Sequence, residues 1–239
     1  MFSLDRVVKV GLVVGIVGGE GIRGKGVMWV DMVEKAVDEL VSAEWVGMSG
    51  DELIDVLGRV EGCVRRLQAV SLAVVREIDD QGVAVGVGAS STAGLVRQVL
   101  RVSPREATRR VETAKVVVGG FSPTGAVTEP VLGEAAGLLR DGEISDEHIQ
   151  VMRTALRALP DGVDLGTKAE VKHALAEYAL TFDPLLLGKI AKRIQVNLDP
   201  DGSLRSEEAA VEARELTISR QDDGMYRCGG GWMPRPRGR

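Results

Sequence analysis

The stretch SSTAGLVRQVLRVSPREATRRVETAKVVV, Ser90 to Val118, decides how the rest of the chain is read. It predicts a short helix, a tight break and a second helix. Ser103-Pro104-Arg105-Glu106 is a capping box with proline at the first helical position, a strong start signal for that second helix. From Arg97 to Lys115 the cations are Arg97, Arg101, Arg105, Arg109, Arg110 and Lys115, against only Glu106 and Glu112. In a helix-turn-helix the N-terminal part of the second helix enters the major groove, and its arginines reach guanine edges or phosphates. These six residues are therefore the candidate DNA contacts. The competing reading is a solvated basic helix face, steadied by Glu106–Arg110 and Glu112–Lys115 pairs at helical spacing.

Outward from this pair the chain is helical on both sides. Val33, Ala36, Val37, Leu40 and Val41 make one apolar stripe from Asp31 onward. Ser49 or Asp51 can cap a long helix running to about Asp80. Its apolar positions Leu53, Leu57, Val60, Val64, Leu67, Val74 and Ile78 alternate spacings of four and three, interrupted only by Ser71. That is a heptad seam on a helix of about 45 Å. Two uses are open: packing within the chain's own bundle, or homodimerisation through residues 51–80. Cys63 lies beside the seam and reads as a small buried or half-buried residue.

Gln81 to Ser91, with Gly82, Gly86 and Gly88, reads as a loop, and Phe121 to Thr128 as a connector. Thr128-Glu129-Pro130 signals a helix ending near Arg140, with Gly142 just past its end. Ser145-Asp146-Glu147 opens another, to Leu159. Thr167-Lys168-Ala169-Glu170 is a second capping box, at or just inside the start of a helix to about Phe182. Asp183-Pro184 starts the last long helix, with Leu187, Ile190, Ala191, Ile194 and Leu198 on one side, and Asp199-Pro200-Asp201-Gly202 stops it. Leu216-Thr217-Ile218-Ser219 alternates, Asp222-Asp223-Gly224 reads as a turn, and Met225-Tyr226-Arg227 begins a return strand. Gly229, Gly230 and the polar Gly/Pro/Arg residues that follow predict that this hairpin stays incomplete. The fold class is thus mainly α: a multi-helix bundle over 31–214 with one long helix, then an incomplete β-hairpin over 215–228 and a disordered tail over 229–239. Residues 1–30 form a glycine-rich leader, disordered or upstream of a true start at Met28 or Met32.

Composition narrows the functions. The 239 residues are 44% hydrophobic and 27% charged, as in a soluble globular protein. Aromatics are only 3%, too few for a platform on which bases stack. The net charge of −5 confines any nucleic-acid role to a local patch. Cys63 and Cys228 make neither a disulfide framework nor a zinc quartet, which fits a reduced, cytoplasmic setting. No apolar run is long enough to span a bilayer, and the short run Val10 to Val17 lacks the cleavage site of a signal peptide.

Candidate catalytic groups are sparse. Gly19-Glu20-Gly21-Ile22-Arg23-Gly24 fits G-x-G-x-x-G, and Gly19 to Lys25 fits most of a Walker A loop. Gly26 stands where magnesium needs Ser or Thr, and no βαβ unit follows, so a nucleotide-binding enzyme ranks last. His148 begins a helix with no evident partner for acid–base work, and His173 reads as a surface residue. Catalytic residues, cofactors and metal ligands are expected to be none.

The order of these pieces resembles the 13E12 repeat family, whose members share a helical domain of unknown function, number 222. The matching pieces are GASSTAGLVRQVLRVSPREATRRVETAKVV, LGEAAGLLRDGEISDEHIQVMRTALRALP, LTFDPLLLGKIAKRIQVNLDPDG and RELTISRQDDGMYR. Together they cover about Asp51 to Arg227. Val96 departs from the tryptophan that relatives tend to carry in the first helix of the central stretch. In longer members an HNH endonuclease domain, a metal-dependent DNA-cutting fold, follows the hairpin. The resemblance thus implies a non-catalytic, DNA-associated helical domain, truncated near Cys228 before any HNH module. The alternatives are a protein-interaction or dimerisation module, and an HNH-related nuclease or nucleotide-binding enzyme. Expected partners are duplex DNA or a second copy of the chain, and no membrane.

Overall fold

The computed structural model describes residues 20–121, 127–160, 162–198, 216–220 and 226–230, with side chains described over 26–120, 127–160 and 162–198. The architecture is mainly α-helical. Contacts divide the chain into two compact units, one up to Asp146 and one from Glu147.

The first unit begins with α1, Glu20–Val41. This helix already runs through Glu20 to Gly26, so the glycine pattern there is helical backbone and forms no phosphate-cradling loop. Every described α1 side chain, from Gly26 to Val41, is exposed. The long helix α2, Gly50–Asp80, starts at a complete capping box. Ser49 Oγ accepts from the Glu52 N–H at 3.3 Å, and Glu52 Oε2 accepts from the Ser49 N–H at 2.8 Å. The Ser49 backbone bond, and then its hydroxyl, hold the Glu52 carboxyl below its ordinary pKa.

After α2 the chain turns through Gly82 and Gly88, both at positive φ. Between them lies the short α3, Val83–Gly86, within what reads from sequence as loop. Next come α4, Thr92–Leu100, and α5, Pro104–Val117. Gly120–Phe121 (β1) then pairs antiparallel with Val127–Thr128 (β2). The Thr128 hydroxyl donates to the Gly120 carbonyl, so Thr128 serves this small hairpin and does not cap a helix. The following helix α6, Gly133–Asp141, accordingly starts later than Thr128-Glu129-Pro130 suggests. Its end is as expected, with Gly142 at φ 84°.

Gly142 is needed there twice over. Its φ is in the left-handed region, and a Cβ would sit 2.7 Å from the Gly62 carbonyl oxygen of α2. Arg65 fastens the same approach, donating to the carbonyls of Gly142 at 3.3 Å and Glu143 at 2.9 Å. The helix α2 packs against α5 and α6, and also meets α3, α4 and β1. The core of this unit is built from Leu72, Val75, Leu95, Val96, Ala107, Val111, Ala114, Val117, Leu132, Ala136, Leu139 and Ile144. The several alanines keep side chains short where helices meet, so each helix contributes a narrow buried stripe.

The helix α7, Asp146–Arg157, starts at the last residue of the first unit; its second-unit part buries His148, Ile149, Met152 and Ala155. The helix α8, Leu165–Ala179, is capped by Asp164, whose Oδ1 accepts from the Gly166 and Thr167 N–H groups. Thr167 is therefore inside the first turn; its hydroxyl donates to Asp164 Oδ2 at 2.7 Å. A closer acidic cap outcompetes the Thr167–Glu170 box read from sequence. The helix also ends before Phe182. Asp183 caps α9, Pro184–Leu198, by accepting from Leu185 and Leu186. The helix α9 packs on α8 and buries Leu187 and Ala191.

The strands β3, Leu216–Arg220, and β4, Tyr226–Gly230, pair antiparallel from Arg220 opposite Tyr226 to Leu216 opposite Gly230. Pairing thus continues through Gly229 and Gly230, past the point where the sequence suggests it fails, because the ladder uses backbone groups that glycine retains. The glycine-rich leader up to Gly19, the Asp199–Gly202 turn cluster, the Asp222-Asp223-Gly224 turn and the tail from residue 231 lie outside the described residues.

Candidate nucleic-acid interface

The helix pair of the opening stretch forms as read. Ser91 caps α4 and Ser103 caps α5, each side-chain oxygen accepting a backbone N–H three residues on. Pro104 takes the first helical position of α5. The two helices pack on each other, and Leu95 and Val96 of α4 and Ala107, Val111 and Ala114 of α5 are buried. Val96, 3% exposed, occupies a packing position.

Only Arg101, Val102 and Ser103 separate the helices. Arg101 caps α4 at φ 54°, ψ 37°, in the left-handed region. Among the described residues it is the one non-glycine at positive φ; Gly47, Gly82, Gly88 and Gly142 hold the other such positions. A side chain there costs about 1–2 kcal/mol relative to a right-handed residue, a cost glycine avoids.

The reciprocal half of the Ser103–Glu106 box does not form, because the Glu106 carboxylate is engaged elsewhere. Glu106 Oε2 accepts from Arg109 Nε at 2.7 Å and Oε1 from Arg109 Nη2 at 2.8 Å. Arg110 Nε donates to the same Oε1 at 2.8 Å. Arg109 also donates through Nη1 to Asp146 Oδ2 at 2.5 Å. The Arg109 hydrogen bonds, followed by those of Arg110, outweigh burial and pull the Glu106 pKa down to about 2. Farther along, Lys115 Nζ lies 3.0 Å from Asp79 Oδ2 of α2. Asp79 also accepts from the Thr92 hydroxyl at 2.6 Å and lies 3.7 Å from Arg76. Burial raises its pKa, but the hydrogen bonds from Thr92 and Lys115 with the nearby cations outweigh it, so its carboxyl stays below the usual range.

The six candidate cations therefore split. Arg109, Arg110 and Lys115 are tied to Glu106, Asp146 and Asp79. Arg97, Arg101 and Arg105 are exposed, and no described residue pairs with them. Sequence spacing finds Glu106, at helical distance from Arg110. It misses Asp79 and Asp146, because nothing local marks a partner more than thirty residues away.

The α2 seam is the second feature. The face that α2 turns to its own unit carries Gly62, Arg65, Leu72, Arg76 and Asp79. The heptad row Leu53, Leu57, Val60, Val64, Leu67 and Val74 lies on the other side and is exposed. Packing among the described residues of the chain's own bundle, one of the two uses open from sequence, leaves this row uncovered. Cys63 is likewise exposed, not half-buried, because it flanks the uncovered row.

The remaining candidates are the two histidines. His148 is buried, and its Nε2 lies 2.9 Å from the Phe182 carbonyl, tying α7 to the segment between α8 and α9. His173 is exposed, 3.6 Å from Glu177. Among the described residues no group of three or more His, Cys, Asp or Glu could hold a metal ion, and no helix is long and apolar enough to cross a membrane.

A mainly α-helical domain organised around one long helix and a basic helix pair is the class this fold defines. The profile of the family described as "Domain of unknown function (DUF222)" matches residues 54–238, and the chain belongs to that family. It is 32% identical to an uncharacterised protein of Mycobacterium tuberculosis over 203 residues, covering 84% of this chain and 48% of that one. A second uncharacterised M. tuberculosis protein is 27% identical over 90% of this chain and 47% of its own length. An uncharacterised Mycobacterium bovis protein is 28% identical over 87% and 46%. The chain spans about half the length of the curated relatives it matches. No solved structure matches it.

Proposed function

We propose that the chain is a non-enzymatic, DNA-associated helical domain that meets duplex DNA through the α4–α5 turn, using Arg97, Arg101 and Arg105. The observation that carries this reading is Arg101. It occupies a left-handed position where glycine would be less strained, between Arg97 and Arg105 in a stretch that holds no acidic residue. Strain retained at an exposed charged residue points to a role outside folding. The three-residue turn and the capped start of α5 fit the helix-turn-helix geometry. Arg109, Arg110 and Lys115 hold the pair together internally. The resemblance to proteins with an HNH module supports a role in positioning DNA, with cutting left to a separate nuclease domain in longer members. Acting by binding rather than catalysis also fits the engagement of His148, Glu106 and Asp79 in packing and ion pairs.

The test is duplex DNA binding at low salt by the wild type, by Arg97→Ala/Arg101→Ala/Arg105→Ala, and by Lys115→Ala. The expected result is wild-type binding, lost in the triple variant and retained with Lys115→Ala. Failure of the wild type to bind duplex at low salt removes the reading.

The uncovered α2 seam favours a second reading, a protein-interaction module, from a separate observation.

A further inference from the structure

Among the described residues nothing covers eight apolar side chains on one side of α2. Leu53, Ile54, Leu57, Val60, Val64, Leu67, Val70 and Val74 are between 39% and 71% exposed. At those exposures the eight residues present on the order of 700 Å² of accessible surface, most of it apolar. The largest patch on a typical monomer is roughly 300–600 Å². A standard protein interface takes about 800 Å² per partner.

The pattern also says what could cover it. With Leu57, Val64, Ser71 and Ile78 at heptad position a, the d positions are Leu53, Val60, Leu67 and Val74. The side of α2 packed on its own unit lies mainly at b and f, where Gly62, Arg65, Leu72, Arg76 and Asp79 fall, with buried Val75 at e. One helix thus carries two working faces, and only one is used.

From these observations we propose that the a/d face of α2 is covered by α2 of a second copy, running antiparallel about a two-fold axis between Arg65 and Arg66. The proposal rests on the interaction-module reading and names its partner. In that register every seam residue meets another. Leu53 lies against Ile78 of the other copy, Leu57 against Val74, Val60 against Ser71, and Val64 against Leu67. Near the middle of the seam the flanks favour this orientation, although farther out it sets Val56 beside Glu77. Antiparallel pairing brings g residues together and e residues together, matching Cys63 with Val70 and Glu61 with Gln68. Parallel pairing would set Val56 beside Glu61 and Cys63 beside Gln68, each an apolar–polar mismatch. Lone-helix association of this kind needs no cofactor and no other chain.

Sedimentation of the purified full chain over a range of concentrations tests the proposal, with two variants. The expected wild type is a dimer. Leu57→Glu/Val64→Glu should weaken it by at least roughly 100-fold, from two lost apolar burials per copy, while circular dichroism stays helical because both residues are exposed in the single chain. Val70→Cys should give a disulfide-linked dimer on mild oxidation, through Cys63 of one copy and residue 70 of the other. Parallel helices would hold those two positions about 10 Å apart along the axis. A dimer that survives Leu57→Glu/Val64→Glu, or one in which Val70→Cys does not cross-link, overturns the proposal. A monomer at every concentration overturns it too. If that monomer binds anilinonaphthalene sulfonate and the double variant does not, an interaction face for another partner stands. If neither binds the dye, the interaction-module reading falls with the dimer.

Discussion

Replacing Glu106 with Gln would expose how the basic helix is held. In the wild type one carboxylate receives Arg109 on both oxygens and shares one of them with Arg110. Its pKa falls from 4.5 to about 2. At about 1.36 kcal/mol per unit, that shift has an upper bound of roughly 3 kcal/mol. The three side chains are 24–34% exposed, so solvent screening reduces the expected effect to about 1–2 kcal/mol. The sign follows from the direction of the shift. A carboxyl depressed in the folded state adds stability above its unfolded pKa, and that stability is lost as pH falls through the folded value. Urea denaturation of wild type and Glu106→Gln should therefore differ by about 1–2 kcal/mol at pH 7, and the gap should close between about pH 4.5 and pH 2. The substitution also releases Arg110, so if the helix pair meets DNA, the variant should bind with a salt dependence steeper by about one phosphate contact. Equal stability at pH 7, or a gap that persists unchanged to pH 2, would refute the ion-pair account.

Three further outcomes follow from single sites. Arg101→Gly should raise stability by about 0.5–1 kcal/mol in urea melts, since left-handed strain is relieved, while weakening DNA binding; a destabilised variant would contradict the strain argument. Asp79→Asn should cost about 1–3 kcal/mol at pH 7, because it loosens Lys115 and the nearby Arg76, whose Nε is buried without a partner. That cost should shrink in acid, as the Asp79 carboxyl protonates below its ordinary range. Gly142→Ala should lower the thermal midpoint by several degrees, because a Cβ meets the Gly62 carbonyl at positive φ; an unchanged midpoint would mean that α2 and Gly142 do not approach as described.

Elements that are marked locally were legible in the sequence. Ser49 with Glu52, Ser103 with Pro104, and Asp183 with Pro184 announce three helix starts, because caps act within one turn. A boundary failed where a nearby competitor won: Thr128 joined a two-stranded pairing in place of capping a helix, whereas Thr167 lies just inside its helix as read, with Asp164 as the cap. The candidate site was half legible. Spacing placed all six cations on the central helix pair but could not see Asp79 or Asp146, which arrive from other elements. The seam was visible as a pattern; whether the chain covers it depends on where α5 and α6 dock, and they dock on the opposite side of α2.

The salt dependence of duplex binding tests the central claim most directly, because the ion pairs fix how many cations remain to meet phosphate. With three free arginines, log K should fall against log salt with a slope of about −2.7, at roughly −0.9 per contact. All six cations engaged would give a slope of about −5.4. The account predicts the shallower value for the wild type. Binding with the steeper slope, or no binding at low salt, would contradict it.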